Sequence, residues 1–143
     1  MKNYIILLLV FCCSASVRAQ GAVDWKVFYQ PDSSRLVFEA KIADGWHLYS
    51  QFTPNDVGPI PTTFSFVKNE QIELLNGVIE PTPIQKYEEV FEADLSYFIQ
   101  TVQFFQNIKA KKSTQMEGVI TYMICNDSQC LPPTDYPFIV LIP

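Results

Sequence analysis

Leu36-Val37-Phe38-Glu39-Ala40-Lys41-Ile42-Ala43-Asp44-Gly45-Trp46-His47-Leu48-Tyr49 is the stretch that decides the fold class. Leu36, Phe38, Ala40 and Ile42 alternate with Glu39 and Lys41, the period of two that turns one side of an extended strand toward a core. Asp44-Gly45 is a turn signal, and Trp46 to Phe52 reads as the next strand. The same period extends in both directions. Val23, Trp25, Val27 and Tyr29 alternate with Asp24 and Lys26. After a loop marked by Pro54, Gly58, Pro59 and Pro61 come strand-like runs at Thr62 to Val67, Ile72 to Leu75 and Val78 to Glu80. Leu95 to Phe105 is the longest candidate, and its Tyr97, Phe98, Phe104 and Phe105 read as core. Met116 to Cys125 and Tyr136 to Ile142 close the chain. A 3.6-residue period is nowhere convincing. Seven to nine short strands separated by turns make an all-β sandwich.

Composition agrees. The 143 residues hold one domain and not two full ones. A hydrophobic fraction of 48% is too high for intrinsic disorder. Ten prolines against five glycines exclude a collagen-like chain. A net charge of −5 and a pI near 4.7 argue against nucleic acid as a partner, because that affinity comes from Lys and Arg on phosphates.

The first 19 residues read as a secretory signal peptide. Lys2 supplies the positive start, Ile5 to Cys13 the apolar run, and Val17-Arg18-Ala19 the small-residue cleavage site. The run is short for a membrane-spanning helix, which needs about 20 apolar residues. Cleavage after Ala19 would leave a single domain over 20–143, with a net charge of −7 and no membrane span. Cys12 and Cys13 leave with the peptide. Cys125 and Cys130 then enter an oxidising compartment as a lone pair.

Ile120, Tyr122 and Ile124 are the more apolar alternating set of their strand and are expected to face the core. Cys125 is then expected on the opposite face at the strand's end. Asn126-Asp127-Ser128-Gln129 are turn formers, so the two thiols flank a tight turn. A bridge closing so short a loop stabilises by roughly 2 kcal/mol, near the low end for disulfides. A redox couple, by contrast, needs two sulfurs close together and open to a partner's thiolate. The residues alone leave three readings open: a redox pair, a structural clip, and a copper(I) site made with Met123 and His47. Asn126-Asp127-Ser128 also matches a glycosylation sequon, though its residues are those a turn selects.

The stretch Tyr122-Met123-Ile124-Cys125-Asn126-Asp127-Ser128-Gln129-Cys130-Leu131-Pro132-Pro133 resembles the active-site segment of the N-terminal periplasmic domain of the thiol:disulfide interchange protein DsbD. Asp44-Gly45-Trp46-His47-Leu48-Tyr49-Ser50 resembles an early strand of the same family, and Val90-Phe91 the segment after its cap loop. The resemblance implies an immunoglobulin-like sandwich in which Cys125 and Cys130 shuttle between dithiol and disulfide. It implies a thioredoxin-like domain or membrane thiol reductase as electron donor. Periplasmic thiol–disulfide proteins or cytochrome c maturation proteins would be the acceptors. No metal or other cofactor is implied. His47, Tyr49, Tyr122 and Pro132 become supporting site residues, with His47 or Tyr49 assisting proton transfer or positioning the thiols. The family's cap loop carries aromatics over the cysteines. The corresponding region is read here as Glu80 to Lys86, which has none, so Pro83, Ile84 and Tyr87 are the candidates to shield the pair.

Two further expectations concern charge. No Lys or Arg neighbours the cysteines, so neither thiol is strongly acidified by its sequence surroundings. The oxidised pair is therefore expected to act as the electrophile. Glu88, Glu89, Glu92 and Asp94 form an acidic cluster, readable as steering for a basic partner or as a charged, solvated strand edge. The rival functions are a non-catalytic immunoglobulin-like binding domain with a structural disulfide, and a copper carrier.

Overall fold

The structure is a computed structural model that describes residues 21–54, 56 and 58–143. The expected signal peptide over 1–19 lies outside the described residues. Eleven strands form among the described residues, with one three-residue 3-10 turn, Pro31–Ser33, and no α-helix. They are β1 (Val23–Gln30), β2 (Arg35–Ile42), β3 (His47–Tyr49), β4 (Thr63–Phe66), β5 (Ile72–Ile79) and β6 (Ile84–Glu88). Then follow β7 (Ala93–Phe98), β8 (Thr101–Ala110), β9 (Thr114–Tyr122), β10 (Ile124–Cys125) and β11 (Thr134–Ile142).

The alternation read from the sequence becomes the two faces of a sandwich. One sheet has the order β1-β2-β8-β5 and the sheet opposite it β11-β9-β4, antiparallel throughout. Aromatic rings fill the space between them. Phe38 of β2 lies 4.9 Å from Phe64 of β4 and 5.3 Å from Phe138 of β11. Trp25 of β1 meets Tyr122 of β9 edge-on at 5.6 Å. Edge-to-face and tilted pairs of this kind add roughly 0.5–1.5 kcal/mol each beyond the area they bury. Gly118 is required where β9 passes between β4 and β11: a Cβ there would lie 2.3 Å from the Ser65 carbonyl oxygen and 2.5 Å from the Phe138 ring. The architecture is the immunoglobulin-like β-sandwich that the sequence led us to expect.

A third sheet, β10-β3-β7-β6, is made from continuations of strands in the other two. Leu95 to Phe105, read as one strand, is β7 followed by β8, with a bend at Ile99–Gln100 where Gln100 takes a left-handed φ of 62°. At the bend the Ile42 N–H donates to the Gln100 carbonyl at 2.6 Å. Likewise β9 breaks at Met123 and resumes as β10, which pairs with β3 through Ile124↔Leu48 and Cys125↔His47. The small sheet therefore joins the ends of both large sheets beyond the aromatic core.

Three local expectations change. The two runs read at Ile72 to Leu75 and Val78 to Glu80 are one strand, β5 (Ile72–Ile79), with an irregularity after Leu75 where Asn76 takes a φ of 61°. Residues 84–88, read as part of a loop, are edge strand β6. It pairs only with β7 and buries neither face, so its sequence carries no alternation to read. Tyr97, Phe98 and Phe104 are buried as expected, but Phe105 is half-buried on the outer face under the Arg35 guanidinium, 4.1 Å from the ring centroid.

Candidate redox site

The break at Met123 decides where the cysteines go. On either side of it, Ile124 and Cys125 are both buried, but in different places. Ile124 joins the main core, while Cys125 packs in a second cluster with Tyr49, Leu95 and Tyr97. Cys125 does lie away from the main core, as the alternation implied. It is nevertheless only 4% exposed, because β3 and β7 supply a second apolar surface there. Residues 126–129 then turn back. The Asn126 N–H donates to the Gln129 carbonyl at 2.8 Å, and Leu131 N–H to the Ile124 carbonyl at 2.9 Å. The Asn126 side-chain oxygen accepts the N–H groups of Ser128 and Gln129, at 2.9 and 2.8 Å. Asn126 is thus occupied in making the turn, which accounts for the sequon by turn chemistry. The turn brings the cysteines to a Cα separation of 3.9 Å, and they form a disulfide. Cys130 is exposed.

The disulfide opens onto a cleft of about 300 Å³. Its other walls are His47 and Tyr49 of β3, Glu88 at the end of β6, and Val90 and Phe91 of the turn between β6 and β7. His47 is the cross-strand partner of Cys125, and its ring lies 4.5 Å from that of Tyr97. Burial pushes the Tyr49 phenol up to about 12, with Glu88 and then Tyr97 adding to the shift. Tyr49 therefore keeps its proton throughout the neutral range. Glu88 is ion-paired with Lys86 at 3.0 Å.

A family profile described as "Thiol:disulfide interchange protein DsbD, N-terminal" matches residues 15–141. The chain belongs to this family. The DsbD N-terminal domain of Neisseria meningitidis in its reduced form superposes with a TM-score of 0.63 at 16% identity, over 84% of this chain and 85% of that one. The same Neisseria meningitidis domain, in its complex with the PilB N-terminal domain, gives 0.63 at 14% identity, over 87% of each chain. The N-terminal periplasmic domain of ScsB from Proteus mirabilis gives 0.56 at 19% identity, over 82% of this chain and 44% of that one. At these identities the likeness speaks for the fold. A search of curated proteins gives no match.

Within this DsbD N-terminal-family domain, the structure gathers Cys125, Cys130, His47 and Tyr49 around one cleft and leaves the other candidates outside it. Tyr122 packs against Trp25 in the main core, where burial raises its phenol pKa. Pro132 is exposed beyond Leu131, which packs on the main core. Pro83 lines a separate cleft with Phe52 and Glu80. Ile84 and Tyr87 sit on β6 opposite Tyr97 and Asp94, both largely exposed.

The wall facing the cysteines is instead Val90-Phe91, which contains an aromatic residue after all. Its position was shifted because 84–88 is a strand and the turn starts only at Glu88. Two wall elements went unread in the sequence, Glu88 as a lining group and Gly58 behind Phe91. An apolar pair inside an acidic run, Glu88-Glu89-Val90-Phe91-Glu92, was the available signal for the first. The second depends on a contact between residues 33 positions apart. Of the acidic cluster, Glu89, Glu92 and Asp94 are exposed around the same turn.

Proposed function

We propose that this domain is a periplasmic thiol–disulfide exchange module that passes reducing equivalents from a thioredoxin-like donor, or a membrane thiol reductase, to periplasmic acceptors. Periplasmic thiol–disulfide proteins and cytochrome c maturation proteins are the acceptor class. The observation that carries the reading is the asymmetry of the disulfide, with Cys125 buried against Tyr49 and Tyr97 and Cys130 exposed at the cleft mouth. A family of thiol:disulfide interchange domains supports it. So does the description of the ScsB domain as periplasmic, and the complex that a DsbD N-terminal domain forms with a PilB domain. Among the described residues no helix is long and apolar enough to cross a membrane.

The donor's thiolate attacks the Cys130 sulfur, the exposed one. The Cys125–Cys130 bond breaks, a donor–Cys130 mixed disulfide forms, and Cys125 leaves with the electron pair and takes up a proton. The donor's second thiol then gives up its proton and attacks the donor sulfur of the mixed disulfide, and Cys130 leaves with the electron pair and takes up a proton. The donor ends as a disulfide, and the domain ends as a dithiol carrying two electrons and two protons. The same steps in reverse deliver them to an acceptor disulfide.

His47 supplies the proton to the departing Cys125 sulfur. It is the sole histidine of the chain, lies across the strand from that cysteine, and lines the cleft. Tyr49 is the poorer donor. A phenol held near 12 binds its proton more tightly than a thiol of ordinary pKa, about 8.5, so transfer between them is uphill. Tyr49 instead offers a hydrogen bond and an apolar wall.

Trapping tests the assignment. A thioredoxin whose resolving cysteine is replaced by serine is reduced, mixed with the oxidised domain, and the mixed disulfide is mapped by mass spectrometry. Linkage to Cys130 is expected; linkage to Cys125, or no adduct, would refute it. In the same assay His47→Ala should slow exchange. An unchanged rate would remove His47 from the mechanism.

A further inference from the structure

The small sheet carries the exchange site on one face. Residues directly opposite each other on antiparallel strands share a face. Cys125 stands opposite His47, and Tyr49 opposite Tyr97. Leu95 and Ala93 of β7 continue the face on which Cys125 packs. The partners of Tyr97, Leu95 and Ala93 on β6 are Ile84, Lys86 and Glu88. The register therefore puts Lys86 on the redox face, although it lies far from both cysteines in the sequence.

Charge around the cleft is mostly negative. Glu88 and Asp127 line it, and Glu89, Glu92 and Asp94 are exposed around the turn between β6 and β7. Lys86 is the counter-charge. Its Nζ donates to Glu88 Oε1 at 3.0 Å. The ammonium is raised above its ordinary pKa by that hydrogen bond, then by the charge of Glu88 and by Tyr97, with Asp127 adding to the shift. Asp127 lies in the turn between the two cysteines, so the charge of Lys86 reaches the disulfide's own turn. Among the described residues the other Lys and Arg side chains belong to β1, β2 and β8 or to the segments after β4 and β8. Apart from His47, which serves as proton donor, Lys86 is the one cation on the small sheet.

Exchange begins when an anion enters this cleft. The donor's thiolate attacks Cys130, the Cys125–Cys130 bond breaks, and the negative charge passes to the Cys125 sulfur until it is protonated. From entry to protonation the cleft holds one negative charge more than at rest. Glu88 and Asp127 oppose that charge, and a fixed cation nearby favours it at every stage. We infer that Lys86 is a specificity-determining residue of the exchange site: its ammonium, held on the redox face by Glu88, opens an otherwise acidic cleft to anionic thiolates and grades thiols by their charge. The inference rests on the exchange reading above and adds to it which class of thiol the site accepts.

The test uses three monothiols of different charge. The thiolate of cysteamine is balanced by its own ammonium, that of mercaptoethanol carries a single negative charge, and that of mercaptoethanesulfonate carries a second. Each is mixed in excess with the oxidised domain, and formation of the first mixed disulfide is followed by acid quench and mass spectrometry. A second thiol then completes the reduction and leaves joined to the first, so that two electrons and two protons reach the bridge. The unmodified domain, Lys86→Met and Lys86→Arg are compared. The ratio of two proteins' rates with the same thiol cancels that thiol's own reactivity. In Lys86→Met the rate should fall on the order of threefold for mercaptoethanol, further for the sulfonate and least for cysteamine. The grading should fade with added salt, as the screening length drops from about 30 Å in dilute buffer to about 3 Å in molar salt. Lys86→Arg keeps the charge and should keep the rates of the unmodified domain.

An equal fall for all three thiols would overturn the inference, because Lys86 would then act through the shape of the cleft wall and not through charge. So would no fall at all, or a fall that salt leaves undiminished. Failure of the exchange reading itself looks different: the unmodified bridge and both variants would resist all three thiols alike.

Discussion

Tyr49 shows how a single side chain reports on the site. Its phenol is raised from 10 to about 12, chiefly because the ring is buried beside Cys125, with Glu88 adding repulsion toward the phenolate. In the unfolded chain the same group titrates near 10. Between these values the folded state holds the proton that the unfolded state has lost. This contribution to stability is complete below pH 10 and is lost as pH rises through 12. Urea unfolding between pH 9 and 12 should therefore show stability falling from about pH 10 upward, with a shallower fall in Tyr49→Phe. Equal slopes for the two proteins would mean that Tyr49 is not buried as described.

At the scale of elements, the bends matter more than the strands. β8 carries Gln106 among the inward-facing residues Val102, Phe104 and Ile108, and Gln106 is 1% exposed. Its amide donates to the Leu75 carbonyl at 3.1 Å and to the Asn107 carbonyl at 2.8 Å, which satisfies backbone left open at the irregularity in β5. Gln106→Leu keeps the volume and removes the donor. It should destabilise the domain by about 0.5–1.5 kcal/mol, the net worth of a hydrogen bond, as read by urea denaturation. A neutral result would mean that β5 is not anchored there.

This bend was not legible in the sequence, nor was the third sheet. The period of two reports which residues face a core, and it placed Trp25, Phe38, Phe104 and Ile120 there. A strand that leaves one sheet for another keeps its alternation, so Leu95 to Phe105 looked continuous. An edge strand with no buried face, such as β6, has no alternation at all. The cysteine pair was legible because its chemistry is local: two sulfurs and four turn residues. The wall opposite them was not, because Phe91 is held by Gly58 and Leu95 through contacts that no sequence spacing encodes.

For the molecule as a whole, a carrier of electrons must stay folded in both redox states. The aromatic core between the large sheets owes nothing to the disulfide, which ties a turn at one end of the small sheet. Opening so short a loop should lower stability by roughly 2 kcal/mol. The reduced domain should then unfold in urea as cooperatively as the oxidised one, at a modestly lower midpoint. Collapse of the fold on reduction would mark Cys125–Cys130 as a clip that the structure needs.

The reduction potential of the Cys125–Cys130 couple tests the central claim most directly. The domain is equilibrated in glutathione or dithiothreitol redox buffers and its free thiols are trapped and counted. An exchange module should poise between about −180 and −270 mV, the range of working thiol–disulfide proteins. A value below about −300 mV, where structural disulfides lie, would contradict the account and leave an immunoglobulin-like binding domain with a fixed bridge.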